Sequence, residues 1–297
     1  MPEDVQALVG HVLVVGGRAV RVPPPGALAE LAPRRASRAR EGHAFAILVT
    51  PCGETRAPAP YFETLAQLGA DTYFGSSGGI TGGLREALAA INRHILDDPA
   101  REPVNALALA LHSGDLYVAR GGRSFMVWRG AGGLTFFPEE RRDPLLVNLP
   151  PLGSGDPPDI QLTSLAVAPG DMLLLCDESL QHAPTTTFDI VLSEGTLAST
   201  LQRLKTLSSK HLAVSAVAFA LLMRRERACR AELFGFLDII YVNAVGASIS
   251  QVFLNHGAFI IDANEKIPCP LIAKLFQYMD NHRLSRNLQE RLRCIPG

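Results

Sequence analysis

Leu107-Ala-Leu-Ala-Leu-His-Ser-Gly-Asp-Leu-Tyr-Val-Ala-Arg-Gly-Gly-Arg-Ser-Phe-Met-Val-Trp-Arg129 carries three apolar runs separated by two turn-forming breaks. Two apolar runs flank Ser113-Gly114-Asp115, a turn triplet, and predict a strand pair. Gly121-Gly122 then breaks the run before a further strand. Leu165-Ala-Val-Ala-Pro-Gly-Asp-Met-Leu-Leu-Leu-Cys-Asp-Glu-Ser-Leu180 repeats the design: a strand, a Pro-Gly-Asp turn, and a buried strand that ends in acidic residues.

Towards the N-terminus, Val12–Val15 and Arg18–Val22 around Gly16-Gly17 predict a hairpin, which Pro23-Pro-Pro-Gly26 ends. Ala44-Phe-Ala-Ile-Leu-Val-Thr50 is a continuous apolar run, as expected of a strand covered on both faces. A proline-rich loop leads to a helix near 61–68, and a second helix is expected over 83–97. There Leu84, Leu88, Ile91 and Ile95 recur on one helical face. Strands follow near 104–111, 115–120, 124–129, 133–137, 160–168 and 171–176. A helix near 196–209 precedes a last strand over 213–222. Such an order fits two facing sheets with helices outside. Gly75-Ser-Ser-Gly-Gly-Ile-Thr-Gly-Gly83 has no lysine for a phosphate loop and reads as a connection between helices.

The 297 residues suit one large domain, or a domain of about 220 residues with an appendage. At 47% hydrophobic and 19% charged, the chain has the composition of a folded protein with a sizeable core. A formal net charge of −1 gives no general attraction to nucleic acid or to an anionic membrane. The apolar window 233–254 carries Asp238, Asn243 and Gln251, which argues against a membrane span. Five cysteines (Cys52, Cys176, Cys229, Cys269, Cys294) form no C-x-x-C pair, so a reducing, cytoplasmic setting is the simplest expectation. The first residues lack the basic region of a secretion signal, which agrees with it. After Glu232 isoleucine becomes frequent and arginine rare, so residues 1–222 are expected to form the main domain. Residues 223–232 read as a charged linker and 233–297 as a C-terminal segment of unknown type, with helices suggested at 270–281 and 284–293.

Order, spacing and apolar pattern over about residues 30–222 resemble the PPM (type 2C) family of metal-dependent serine/threonine protein phosphatases. The resemblance implies an α/β (α+β) fold, a four-layer αββα sandwich of two antiparallel sheets with outer helices. It also implies two divalent ions, manganese or magnesium, held by aspartates and activating a water for attack on a phosphate ester. Hard cations need several converging oxygen anions, and most of those positions have changed here. The aspartate after the first long strand falls on Thr50, followed by Pro51, with Glu54 the nearest acid. In the glycine-aspartate-serine turn the chain reads Gly122-Arg123-Ser124, a cation in place of a ligand. Glu178, beside Asp177, stands at the next metal position, and Leu212-Ala213 replaces the final aspartate-asparagine pair near His211. For the family's phosphate-holding arginine the nearest matches are Arg35 and Arg38, in a cluster with Arg34 and Arg40, with Glu41 as a nearby acid.

Read so, the chain is expected to be a catalytically inactive pseudophosphatase that binds and regulates a protein, with a phosphoprotein or a kinase as the candidate partner. No cofactor is expected, Glu178 and Asp177 are the weak metal candidates, and Arg123, Arg35 and Arg38 are the anion-binding candidates. The first alternative is a weak serine/threonine phosphatase with an altered manganese or magnesium site. The second is a scaffold whose C-terminal segment carries the partner contact.

Overall fold

The computed structural model describes residues 5–225, apart from 21, 32, 34, 99, 140–148, 194–195 and 212–214. The chain divides into Met1–Glu226 and Arg227–Gly297, and the segment and helices expected after residue 232 lie outside the described residues.

Among the described residues, eleven strands build two antiparallel sheets. The first holds β1 (Val5–Val15), β2 (Arg18–Val20), β7 (Phe125–Gly130), β8 (Gly133–Phe137), β10 (Met172–Cys176) and β11 (Ser215–Arg225), in the order β2-β1-β11-β10-β7-β8. β3 (Ala27–Glu30), β4 (Ala44–Pro51), β5 (Val104–His112), β6 (Asp115–Gly121) and β9 (Gln161–Ala166) form the second, in that order. The described residues also hold four α-helices: α1 (Ala59–Gly75), α2 (Ile80–Leu96), α3 (Thr185–Leu192) and α4 (Leu197–His211).

Side chains alternate along each strand, and this alternation separates three apolar layers. Ala46 and Leu48 of β4 meet Leu107 and Leu109 of β5 and Leu173 and Leu175 of β10 between the sheets. From the opposite face of β4, Phe45, Ile47 and Val49 pack against α1 and α2, through Leu65, Leu88 and Ile91. Met172, Leu174 and Cys176 of β10 face outward to Phe188, Val191 and Leu192 of α3 and Leu204 of α4. The layers therefore run helix, sheet, sheet, helix, as expected of the αββα sandwich.

The turns follow the predicted chemistry. Ser113 and Gly114 carry left-handed backbones (φ 52° and 84°) between β5 and β6. Two boundaries differ from expectation. α1 begins at Ala59, because Pro58 sits at its N-cap and Pro60 in its first turn, where a missing N–H does no harm. Gly82 and Gly83 are helical rather than loop, and Gly83 is required by a neighbour. A Cβ there would lie 2.2 Å from Arg40 Nη2. No helix of the described residues is long and apolar enough to cross a membrane.

Candidate functional site

β4, β5, β6, β7 and β10 bring Pro51, Val104, Gly121, Phe125 and Cys176 to one end of the sandwich. Three connections meet there: the loop after β4, the turn between β6 and β7, and the short 3-10 turn Glu178–Leu180 that follows β10.

Alternation aims Thr50, like Ala46 and Leu48, at the space between the sheets. It is buried, and its Oγ1 stands 3.4 Å from Ser124 Oγ. Asn105, fully buried at the start of β5, ties two of the connections together. Its Nδ2 donates to the Pro51 carbonyl at 3.1 Å, and its Oδ1 accepts from the Arg123 N–H at 2.9 Å. Gly122 makes this approach possible, with φ +82° and no Cβ, which would otherwise sit 2.2 Å from Asn105 Oδ1.

Arg123 and Glu178 come together here. Arg123 Nη1 lies 3.8 Å from Glu178 Oε2, while Glu178 Oε1 accepts the Gly53 N–H at 2.9 Å. The arginine side chain is 47% exposed and the glutamate 24%, so the pair lies at the mouth rather than in the core. Among the described residues the guanidinium forms no hydrogen bond, and Glu178 Oε2, though buried, has no hydrogen-bond donor. Cys52 is half-buried in the same loop. Burial and then the Glu178 carboxylate push its thiol up, with Arg123 opposing, so it stays protonated at neutral pH. Asp177 turns its carboxylate to the 3-10 turn, accepting from Ser179 N at 3.1 Å and Ser179 Oγ at 2.5 Å. Glu54 is exposed.

Beneath this mouth lies Arg120, fully buried on the inner face of β6. Its Nε donates to Gln161 Oε1 at 2.8 Å, its Nη1 to the Ser124 carbonyl at 3.2 Å, and its guanidinium lies 5.9 Å from the Phe137 ring. Burial lowers its pKa to about 10, which leaves it charged at neutral pH. Neither Asn105 nor Arg120 was singled out in the sequence. A signal existed: each is a lone polar residue in an apolar strand, and Arg120 continues the inward period of Leu116 and Val118.

The arginine cluster sits elsewhere. Eight residues of β4 at roughly 3.3 Å each put ~23 Å between its start, next to the 3-10 turn Arg38–Arg40, and the Pro51 end. The structure does not bring the exposed Arg35 and Arg38 to Arg123, and Glu41 is exposed beside them. Arg34 lies outside the described residues. Arg40 is the buried member, donating to the Tyr73 and Gly79 carbonyls and to Ser76 Oγ, and so fastening the end of α1 to the start of α2. It has a structural post that the cluster reading did not foresee. Leu212-Ala213 falls outside the described residues, and His211 closes α4.

Solved structures with this layering include serine/threonine phosphatases. PppA of Pseudomonas aeruginosa, titled a key regulatory component of T6SS, matches 75% of this chain and 100% of its own, at 17% identity and a TM-score of 0.55. The fold is that of the PPM phosphatases. The S. agalactiae serine/threonine phosphatase aligns with 74% of this chain and 100% of its own, at 16% identity and TM-score 0.54. The PPM Ser-Thr phosphatase MsPP of Mycobacterium smegmatis, in complex with cacodylate, aligns with 72% and 97%, at 15% identity and TM-score 0.51. At these identities the likeness is one of fold. No protein-family model and no curated protein matches the chain.

PPM chemistry would place divalent metal at this end of the sandwich, and the groups present do not fit it. A hard divalent cation draws about six oxygen ligands, with carboxylates among them. Here the converging groups are a buried hydroxyl, a protonated thiol, one carboxylate, and a guanidinium that repels cations. Among the described residues no three His, Cys, Asp or Glu side chains cluster as a metal site.

Proposed function

We propose that this chain is a PPM-fold pseudophosphatase, a domain that has kept the sandwich, lost the hydrolytic chemistry, and regulates a protein partner by binding it. The observation that supports this reading is Arg123 facing Glu178 across the place where metal ligands would converge. Thr50 is turned to Ser124, Leu212 cannot ligate, and among the described residues no three His, Cys, Asp or Glu side chains gather to hold two ions and a water. Arg123 is the anion-facing residue of the binding surface. Its planar fork suits the phosphate or carboxylate of a phosphoprotein or acidic segment in two-point geometry. Arg35 and Arg38 belong to a different patch.

The test is twofold. Purified protein with manganese or magnesium should release no phosphate from aryl phosphates or phosphopeptides. In the same preparation Arg123→Ala should weaken capture of a phosphopeptide at least about tenfold, the loss of a charged two-point contact, with little change in melting temperature. Metal-dependent turnover by the unaltered chain would overturn the reading in favour of the weak phosphatase. Unaltered capture by Arg123→Ala would remove Arg123 from the surface.

A further inference from the structure

We propose that Arg123 is a resident counter-cation. Its guanidinium neutralises Glu178 and thereby bars divalent metal from this end of the sandwich. Several facts converge on this. Glu178 Oε2 is buried without a hydrogen-bond donor, while the side chain as a whole keeps 24% exposure, so its charge is offset either by a nearby cation or by a small turn towards water. At 3.8 Å the Arg123 Nη1 supplies that cation by proximity alone, too far for a hydrogen bond. The other oxygen is held by the Gly53 N–H, so the carboxylate is aimed rather than free. Arg123 is aimed too, because its own N–H is anchored on buried Asn105 through a turn that only glycine at 122 permits.

The charge arithmetic is local: the Glu178 carboxylate is matched by the Arg123 guanidinium, and the neighbouring Asp177 carboxylate is turned to the Ser179 N–H and hydroxyl. A divalent cation entering here would have to displace Arg123 or sit beside it, and like charges at such spacing repel. The ends of β4, β6 and β10 are thus joined through Gly53, Asn105, Arg123 and Glu178 without metal. Removing the guanidinium leaves Glu178 as an uncompensated anion next to Asp177 and the Cys52 thiol. Arg123→Asp goes further and sets a second carboxylate opposite the first. Both changes should admit an ion that the natural chain refuses.

The experiment titrates manganese into the full chain, read by calorimetry and by thermal shift, and needs no activity. The unaltered protein should show no saturable heat and no shift. Arg123→Asp should bind manganese saturably over the concentration range in which the unaltered chain gives no heat, and its melting temperature should rise with the metal. Adding Glu178→Gln to Arg123→Asp should abolish that gain. Should Arg123→Asp fail to fold, Arg123→Ala serves, with a smaller gain in the same direction. Saturable manganese binding by the unaltered chain, or no gain in either arginine variant, would overturn the inference. The pseudophosphatase reading is judged separately, since it stands or falls on phosphate release rather than on metal affinity.

Discussion

Replacing Asn105 by alanine should destabilise the protein more than any change at the exposed end of the same network. The side chain is fully buried and satisfies two backbone groups, the Pro51 carbonyl at 3.1 Å and the Arg123 N–H at 2.9 Å. An unmade hydrogen bond to a buried group costs about 1–3 kcal/mol. Pro51 is half-buried and Arg123 partly exposed, so water recovers some of this and the lower figure applies to each. The sum is ~2 kcal/mol. For a domain of this size that corresponds to a fall of about 4–8 °C in melting temperature. Arg123→Ala, by contrast, removes one half-exposed ion pair and should cost less than ~1 kcal/mol. Urea denaturation of the unaltered chain and both variants, followed by tryptophan fluorescence, gives the comparison directly. Trp128 is the sole tryptophan and reports on β7, two hydrogen-bonded strands from β11. If Asn105→Ala unfolds within 0.5 kcal/mol of the unaltered protein, or no earlier than Arg123→Ala, Asn105 is not the anchor of this end.

Two further outcomes are expected. His43, in contact with Tyr73 Oη at 2.7 Å and with its ring 4.3 Å from that of His112 in a tilted pair, has its pKa lowered to about 4 by burial, then by His112 and Arg40. The unfolded chain takes up this proton near pH 6.5, so its contribution is whole above that pH and is lost as pH falls towards 4, on the order of 1–3 kcal/mol. Urea midpoints between those pH values should climb less steeply for His43→Gln, and equal slopes would rule the group out. Gly53 and Gly122 form a controlled pair, both left-handed (φ +79° and +82°), but only Gly122 has an atom in the way. Gly53→Ala should cost about 1–2 kcal/mol for the backbone alone and Gly122→Ala clearly more; equal melting temperatures would remove the Asn105 contact from the account.

How much of this was legible depended on how local each signal was. Strand alternation and turn triplets such as Ser113-Gly114-Asp115 are written in adjacent residues, and they carried the sandwich. β3 escaped notice because its four residues follow a proline run and become a strand by pairing with β4. α3 opens on three threonines, poor helix formers, and is held by burial of Phe188, Val191 and Leu192. At the site, Thr50 and Arg123 were legible as departures from the pattern that the resemblance implies, since each is a residue identity at a strand end or a turn. The pairing of Arg123 with Glu178 was not, because it joins residues that only the two strand ends bring together. Among the arginines, nothing in the sequence around 34–40 separates the buried Arg40 from its exposed neighbours; the separation comes from Tyr73, Ser76 and Gly79 on two helices.

The strand order of the six-stranded sheet has a consequence for how this chain comes off the ribosome. β1 is joined to the rest of that sheet through β11, along an eleven-residue ladder that sets Val5 opposite Arg225 and Val15 opposite Ser215. β10 meets the same strand on its other edge. Until the codons for residues 215–225 have been read, the opening hairpin therefore has no strand to join, and both it and β10 present open edges. The five-stranded sheet has no such wait, since its last strand ends at Ala166. One half of the sandwich can be assembled during synthesis, whereas the other is sealed by a single late strand. Long-range closures of this kind are slow and leave edges exposed to neighbouring chains. A premature stop between β10 and β11 would thus leave more than a shortened protein: it would leave a sheet in two unconnected pieces.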